Sequence, residues 1–294
     1  MSSSGQIAGR RVRQDSLSRL SEKIGHFREL RAKKKIINKN LIVIHRSNKI
    51  GQALNLPKVL NLNPRSIYNK KEEFMTFVKE HDVSLICMSE SWERESLGLD
   101  KLINLDNYEI ISSVSQRKEK GGRPAILVDK TNFNVENITD SVDIPWGIEI
   151  VWAVLTPKDA TNASTIQKII IASVYNKPKS RKTGKLYLHI AEVYSQLSKK
   201  YRNGLHWLIC GDTNDLKLEP ILALNHRLKQ VVQNNTRLNP QKLLDPIITT
   251  LGKYYQVPEC LPPLDPDPGS NGKPLDHLMV LMFPISTVKI NQQG

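Results

Sequence analysis

Two apolar runs, Val83–Met88 (VSLICM) and Trp207–Cys210 (WLIC), each lead directly into an acidic motif. The first motif is Ser89-Glu90-Ser91 and the second is Gly211-Asp212-Thr213-Asn214. Apolar runs of this length read as buried strands. A carboxylate directly after such a strand is held rigidly by the core yet stays open to solvent at the sheet edge. A third motif, Leu275-Asp276-His277, opens another strand-like run, Asp276 to Leu281. A fold that satisfies all three must gather several strand ends at one place.

The order of elements narrows the architecture. Lys58 onward (VLNLN) reads as a strand ending at Asn63, followed by Pro64, a helix from Lys70 to Glu80 and the VSLICM strand. Further strands are expected at Tyr108 to Ser112, Ala125 to Val128, Glu149 to Leu155, Ile169 to Tyr175, Trp207 to Cys210, Asp245 to Thr250 and Asp276 to Leu281. A long helix is expected over Lys185 to Tyr201. Direct strand-to-strand passages alternate with strand-helix-strand passages, which predicts an α/β (α+β) protein with mixed sheets, two of them packed together under outer helices, and argues against a doubly wound parallel sheet.

The 294 residues are 39% hydrophobic and 24% charged, ordinary for a globular protein with a real core. No apolar stretch reaches the ~18 residues of a membrane-spanning helix, so no membrane partner is expected. Cys87, Cys210 and Cys260 show no paired metal-ligand spacing, and the first two fall inside expected strands. They read as core residues of a reducing compartment, nuclear or cytoplasmic.

Charge is unevenly placed. Residues 1–50 hold 13 Lys or Arg against 3 Asp or Glu, so +10 of the formal +14 lies there. A basic arm on a nearly neutral body fits a polyanion, with DNA the leading partner, because neutralised phosphates release counterions; a solvated tail serving solubility is the competing reading. The first fourteen residues read as disordered. From Asp15 to about Lys35, Leu17, Leu20, Ile24 and Phe27 recur at helical steps, the pattern of a basic amphipathic helix. The same composition also fits a mitochondrial transit peptide. The folded domain is expected over residues 58–285, and oligomeric state is not legible.

Phosphodiester hydrolysis needs a divalent ion against the phosphoryl charge, a base for water, and donors around the phosphorus. Mg²⁺ or Mn²⁺ prefers oxygen ligands, for which Glu90 and Asp276, helped by the amide oxygen of Asn63, are candidates. Asp212 is the candidate base, and Asn214 the candidate donor to a phosphoryl oxygen, both side chains facing one way if strand alternation continues through them. Alone, Gly-Asp-Thr-Asn is equally a turn sequence. His277 pairs in expectation with Asp245, which Pro246 forces to be extended, although a lone His is otherwise a hydrogen-bonded structural residue. Tyr175 ends a strand and is a candidate for positioning the substrate, with Lys177 meeting the backbone phosphate. The bland alternatives are an anchoring Tyr, a capping Glu90 and a turn at Asn63.

Seven short motifs then stand in register: Asn63-Pro64-Arg65-Ser66 with Asn69-Lys70, Ser89-Glu90-Ser91-Trp92, Gly121-Gly122, Val174-Tyr175 with Pro178, Gly211-Asp212-Thr213-Asn214, Leu244-Asp245 and Asp276-His277. Over about Lys58 to Ile285 the chain resembles the endonuclease/exonuclease/phosphatase superfamily, most nearly the endonuclease domains of LINE-type (non-LTR) retrotransposons of invertebrates. The resemblance implies a DNase I-like four-layer sandwich and a metal at Glu90, with Asn63 beside it and Asp276 completing the acidic site. Asp212 and Asn214 would then handle nucleophile and phosphate, Tyr175 would position the phosphate, and Asp245 would orient His277. Leu275 stands where the family usually has Ser, and Thr213 where a Phe is common. With no reverse transcriptase following Gly294, an isolated domain, a truncated element copy and a derived host gene all remain open. The leading expectation is an Mg²⁺- or Mn²⁺-dependent endonuclease that nicks DNA. A phosphatase or phosphodiesterase of small or lipid phosphate esters and a decayed nucleic-acid binder are the alternatives.

Overall fold

The computed structural model describes residues 56–93, 97–112, 121–158, 166, 168–201, 204–264 and 277–285. The basic arm of residues 1–50 with its expected helix, and the Leu275 and Asp276 positions, lie outside the described residues. The chain first lays down β1 (Val59–Leu62), β2 (Leu85–Met88), β3 (Tyr108–Ser112) and β4 (Ala125–Asp129). It crosses to a second sheet with β5 (Phe133–Asn137), β6 (Glu149–Pro157), β7 (Lys168–Tyr175), β8 (Leu205–Asp212) and β9 (Lys229–Gln230). A small hairpin of β10 (Arg237–Leu238) and β11 (Gln241–Lys242) precedes β12 (Ile247–Thr249). The chain then returns to the first sheet with β13 (Glu259–Leu261) and β14 (Met279–Met282).

The two six-stranded sheets have the orders β13-β14-β1-β2-β4-β3 and β5-β6-β7-β8-β12-β9. Each is mixed, since β1 with β2 and β7 with β8 run parallel while their other neighbours run antiparallel. Parallel neighbours cannot be joined by a tight turn. Both parallel pairs are accordingly bridged by a helix, α1 (Lys71–Glu80) in the first sheet and, after the four-residue α2 (Leu99–Leu102), α3 (Thr183–Lys200) in the second.

Three apolar layers hold these elements together. Val59, Leu85, Ile126 and Val280 of one sheet meet Val151, Ile171, Leu208 and Ile247 of the other between the sheets. Phe74 and Val78 of α1 cover the outer face of the first sheet, and Leu186, Ile190 and Val193 of α3 cover the second with Trp152 and Trp207 beneath. The result is the four-layer α/β sandwich with two mixed sheets. Because β7 is covered on both faces, its Ile169 and Ile171 point inward and Ile170 and Val174 outward, which is why it reads as an unbroken apolar run. Among the described residues no helix is long and apolar enough to cross a membrane.

Several bounds differ from expectation. β8 continues through Gly211 and Asp212, so the acidic motif begins inside the strand. β12 starts at Ile247, because Pro246 has no N–H for the ladder. The last strand begins at Met279 instead of Asp276, leaving His277 in an isolated antiparallel bridge with Arg237.

Candidate active site

The parallel pair β1 and β2 ends at Leu62 and Met88, and just past these ends stand Asn63 and Glu90. In the second sheet the parallel pair β7 and β8 ends at Tyr175 and Asp212, which are neighbours in register. Polar bonds fasten the two sheets at this end: Ser173 Oγ donates to the Met88 carbonyl at 3.0 Å and Asn61 Nδ2 to the Pro246 carbonyl at 3.2 Å. Asn63 completes the junction. Its Nδ2 donates to Glu90 Oε1 at 3.0 Å and to Asp212 Oδ2 at 2.9 Å, so one amide links a carboxylate of each sheet. Its Oδ1 accepts the Arg65 N–H at 3.1 Å, so the nitrogen, and not the oxygen, faces the acids. Trp92 Nε1 donates to Glu90 Oε2 at 2.9 Å, fixing the second oxygen.

Gly211 makes the Asp212 turn possible. Its φ is +130°, and a Cβ there would lie 2.0 Å from the Val174 carbonyl oxygen, so no other residue fits against β7. Past Asp212 the chain leaves the strand, and Asn214 adopts φ +47°. Asp212 and Asn214 therefore do not alternate along one strand. They form an Asx turn in which Asn214 N–H donates to Asp212 Oδ1 at 3.0 Å. Asn214 Nδ2 donates to the Asn176 carbonyl at 2.9 Å, and Asn176 Nδ2 returns to the Thr213 carbonyl at 3.0 Å. Thr213 Oγ1 donates to the Leu244 carbonyl at 3.0 Å, a tie that needs a side-chain hydroxyl at this position.

Leu244 leads into Asp245. There Asp245 Oδ2 lies 2.9 Å from His277 Nδ1 and accepts the Thr236 hydroxyl at 2.7 Å. The same hydroxyl oxygen accepts the Asp245 N–H at 3.0 Å, and Leu278 N–H donates to the Thr236 carbonyl at 2.7 Å. Thr236 thus ties both members of the pair to the root of the β10–β11 hairpin. A carboxylate on Nδ1 keeps the proton on that nitrogen and directs Nε2 to other work.

The cluster is strongly buried, with Asp212 and Asp245 each 1% exposed and His277 5%. Burial pushes the Asp212 carboxyl well above its ordinary range, reinforced by the Asp245 charge; His277 opposes this, Glu90 adds to it, and the Asn214 N–H opposes it. Ligand-capable atoms of Asp212, Asp245 and His277 lie within 4.8 Å of one another. Asp245 Oδ1 is buried without a hydrogen bond. Crowded buried carboxylates with an oxygen to spare favour a hard divalent cation close by, and Glu90, joined to Asp212 through the Asn63 amide, is the acid at the edge of this cluster.

Asn63, Glu90, Asp212, Asn214, Asp245 and His277 are thus drawn together by the fold. Tyr175 is half-buried beside Asp212, and Lys177 is exposed on the loop after it. Asp276 lies outside the described residues. The Gly121-Gly122 pair runs past Glu90 and Trp92, whose N–H donates to the Gly122 carbonyl at 3.4 Å. Asn176 and Thr236 escape a reading of the sequence as site residues, since each acts through contacts to distant segments; Asn176 was within reach, standing directly after Tyr175.

No family model matches the chain, and no curated protein does. Among solved structures, the endonuclease domain of TRAS1, a telomere-specific non-LTR retrotransposon, is similar at 13% identity and TM-score 0.55, covering 77% of this chain and 96% of that one. The Neisseria 3′ phosphatase NExo bound to a product DNA hairpin is similar at 12% identity and TM-score 0.53, over 78% of this chain and 100% of that one. An AP endonuclease from Archaeoglobus fulgidus is similar at 15% identity and TM-score 0.51, over 78% and 99%. Together with the two mixed sheets and their outer helices, these likenesses establish that the chain has the DNase I-like fold of the endonuclease/exonuclease/phosphatase proteins.

Proposed function

We propose that the chain is a divalent-metal-dependent phosphodiester hydrolase acting on DNA, an endonuclease that nicks one strand. The observation that carries this reading is the Asn63 amide joined to Glu90 and Asp212 beside the buried Asp245–His277 pair. The neighbours named above add support, two being endonucleases and the third a 3′ phosphatase with a DNA product.

Glu90, with Asp276 from the adjoining segment, would hold Mg²⁺ or Mn²⁺, and Asn63, whose amide nitrogen and not its oxygen meets Glu90, orients that carboxylate instead of serving as the expected oxygen ligand. Bound there, the cation would neutralise charge on the phosphoryl oxygens. Asp212 takes the proton of the attacking water, a task suited to a carboxylate whose proton affinity burial has raised. The water oxygen bonds to phosphorus as the bond to the 3′ oxygen breaks; the 3′ oxygen leaves with the bonding pair and takes a proton from solvent, giving a 3′-hydroxyl and a 5′-phosphate. His277, held through Nδ1 by Asp245, offers Nε2 to the phosphoryl oxygen on which charge develops. Asn214 has one amide hydrogen engaged with Asn176 and a second for the phosphate. Tyr175 and Lys177 border the substrate strand.

The test is supercoiled plasmid with and without Mg²⁺ or Mn²⁺. Metal-dependent nicked circles, reduced ~10²- to 10⁴-fold in Asp212→Ala and His277→Ala, are expected. Turnover of small or lipid phosphate esters without nicking would replace the endonuclease by a phosphatase. Salt-dependent DNA binding without cleavage would leave a decayed binder.

A further inference from the structure

Trp146 is 66% exposed, the most exposed large apolar side chain among the described residues. It stands in the loop before β6, three residues ahead of Glu149, and Glu149 is in register with Tyr175 and through it with Asp212. Three extended residues and two strand spacings put it within about 20 Å of Asp212. That is about six nucleotides of a B-form strand at ~3.4 Å each.

The ring is not left to wander. Lys182 holds its ammonium 3.7 Å from the ring centroid, covering one face. Gly147 makes room for that lysine, with φ +79° and no Cβ where one would lie 1.9 Å from Lys182 Nζ. Lys182 belongs to the segment 177–185, which carries Lys177, Lys179, Arg181, Lys182 and Lys185 and no acid. The same segment is fastened to the turn after Asp212, where the Lys179 N–H donates to Asp215 Oδ2 at 3.1 Å. A basic rim therefore starts at the candidate active site and ends at an oriented, exposed indole.

We propose that Trp146, braced by Lys182, is a stacking platform for an unpaired base of the DNA strand whose backbone follows residues 177–185 away from the site. This rests on the DNA-hydrolase reading above. An indole face takes any base, and lysines beside it take the phosphates, whereas bases inside an intact duplex have both faces covered by their neighbours. The platform selects DNA with a gap, flap or frayed end near the cleaved phosphate. A single strongly exposed aromatic in its loop, at the end of a basic rim, fits a strand better than a bilayer, which takes a broad apolar face.

The test uses the full chain without divalent metal, binding a duplex with a six-nucleotide gap, the same duplex fully paired, the matching single-stranded RNA, and vesicles containing anionic lipid. The wild type is expected to prefer the gapped duplex, with Trp fluorescence quenched on binding. Trp146→Ala should weaken gapped-duplex binding about tenfold and leave the paired duplex unchanged, while Trp146→Phe keeps most of the preference. Equal losses on both duplexes, no loss on either, or tighter binding to RNA or vesicles than to gapped DNA would overturn the platform. Metal-dependent nicking that survives such a result would leave the hydrolase reading standing, and absence of any DNA binding would remove both.

Discussion

At the scale of single residues, Asp212 is held where a carboxylate is uncomfortable. It is buried against the charges of Asp245 and Glu90, and its proton affinity is raised well above that of an exposed aspartate. Between pH ~4, where an unfolded aspartate ionises, and the raised folded value, the native state binds a proton that the unfolded state does not. Stability from this group therefore falls as pH rises through that window, whereas use of Asp212 as a base improves. Asp212→Asn removes the charge but keeps an oxygen for the Asn63 amide or the Asn214 N–H. It should raise the melting midpoint of the metal-free protein at neutral pH by about 3 °C and reduce nicking about 10³-fold. Calorimetry at two pH values checks the sign, because the gain should shrink at mildly acidic pH. An unchanged or lower midpoint at neutral pH would mean that Asp212 is not destabilising as placed.

At the scale of elements, the junction of β7 and β8 is the tightest constraint. Gly211 brings the backbone of β8 against Val174, and only a residue without Cβ tolerates both that approach and the positive φ. Gly211→Ala should cost about 3 kcal/mol, read as a lower urea midpoint at unchanged slope, and it should displace Asp212 and so cut nicking even where the protein remains folded. The same junction shows what the sequence can disclose. β7 and the core of β8 are legible because both faces are buried, and the acidic motifs are legible because they sit where those runs stop. β5 is not, since this edge strand alternates Phe133 and Val135 with exposed or polar neighbours and offers no apolar run. The two-residue strands β9, β10 and β11 have no periodicity to read. Thr236 and Asn176 stay hidden for a different reason: Asn176 bonds to Thr213, and Thr236 accepts from Leu278, each a segment that only the tertiary fold brings near. The expected alternation of Asp212 and Asn214 fails because an Asx turn satisfies the Asp212 carboxylate locally.

At the scale of the whole molecule, charge and chemistry are carried by different parts of the chain. Residues 1–50 contribute +10 of the +14 formal charge, whereas the candidate catalytic groups all come from the sandwich between Asn63 and His277. On the proposed reading an arm of this kind would add affinity without sequence preference, and its contribution would be read in salt dependence, since each neutralised phosphate contributes about 0.9 to the slope of log affinity against log salt. Replacing Arg31, Lys33, Lys34 and Lys35 together by Gln should lower that slope by up to about 3.6 in magnitude and weaken DNA binding most at low salt. Nicking at saturating DNA should be unaffected, because none of the four belongs to the acidic cluster. Anisotropy titrations at several salt concentrations, set beside plasmid nicking at saturation, read the two effects separately. An unchanged slope would assign the arm's charge to something other than DNA, while a lost saturated rate would show that the arm takes part in the chemistry itself.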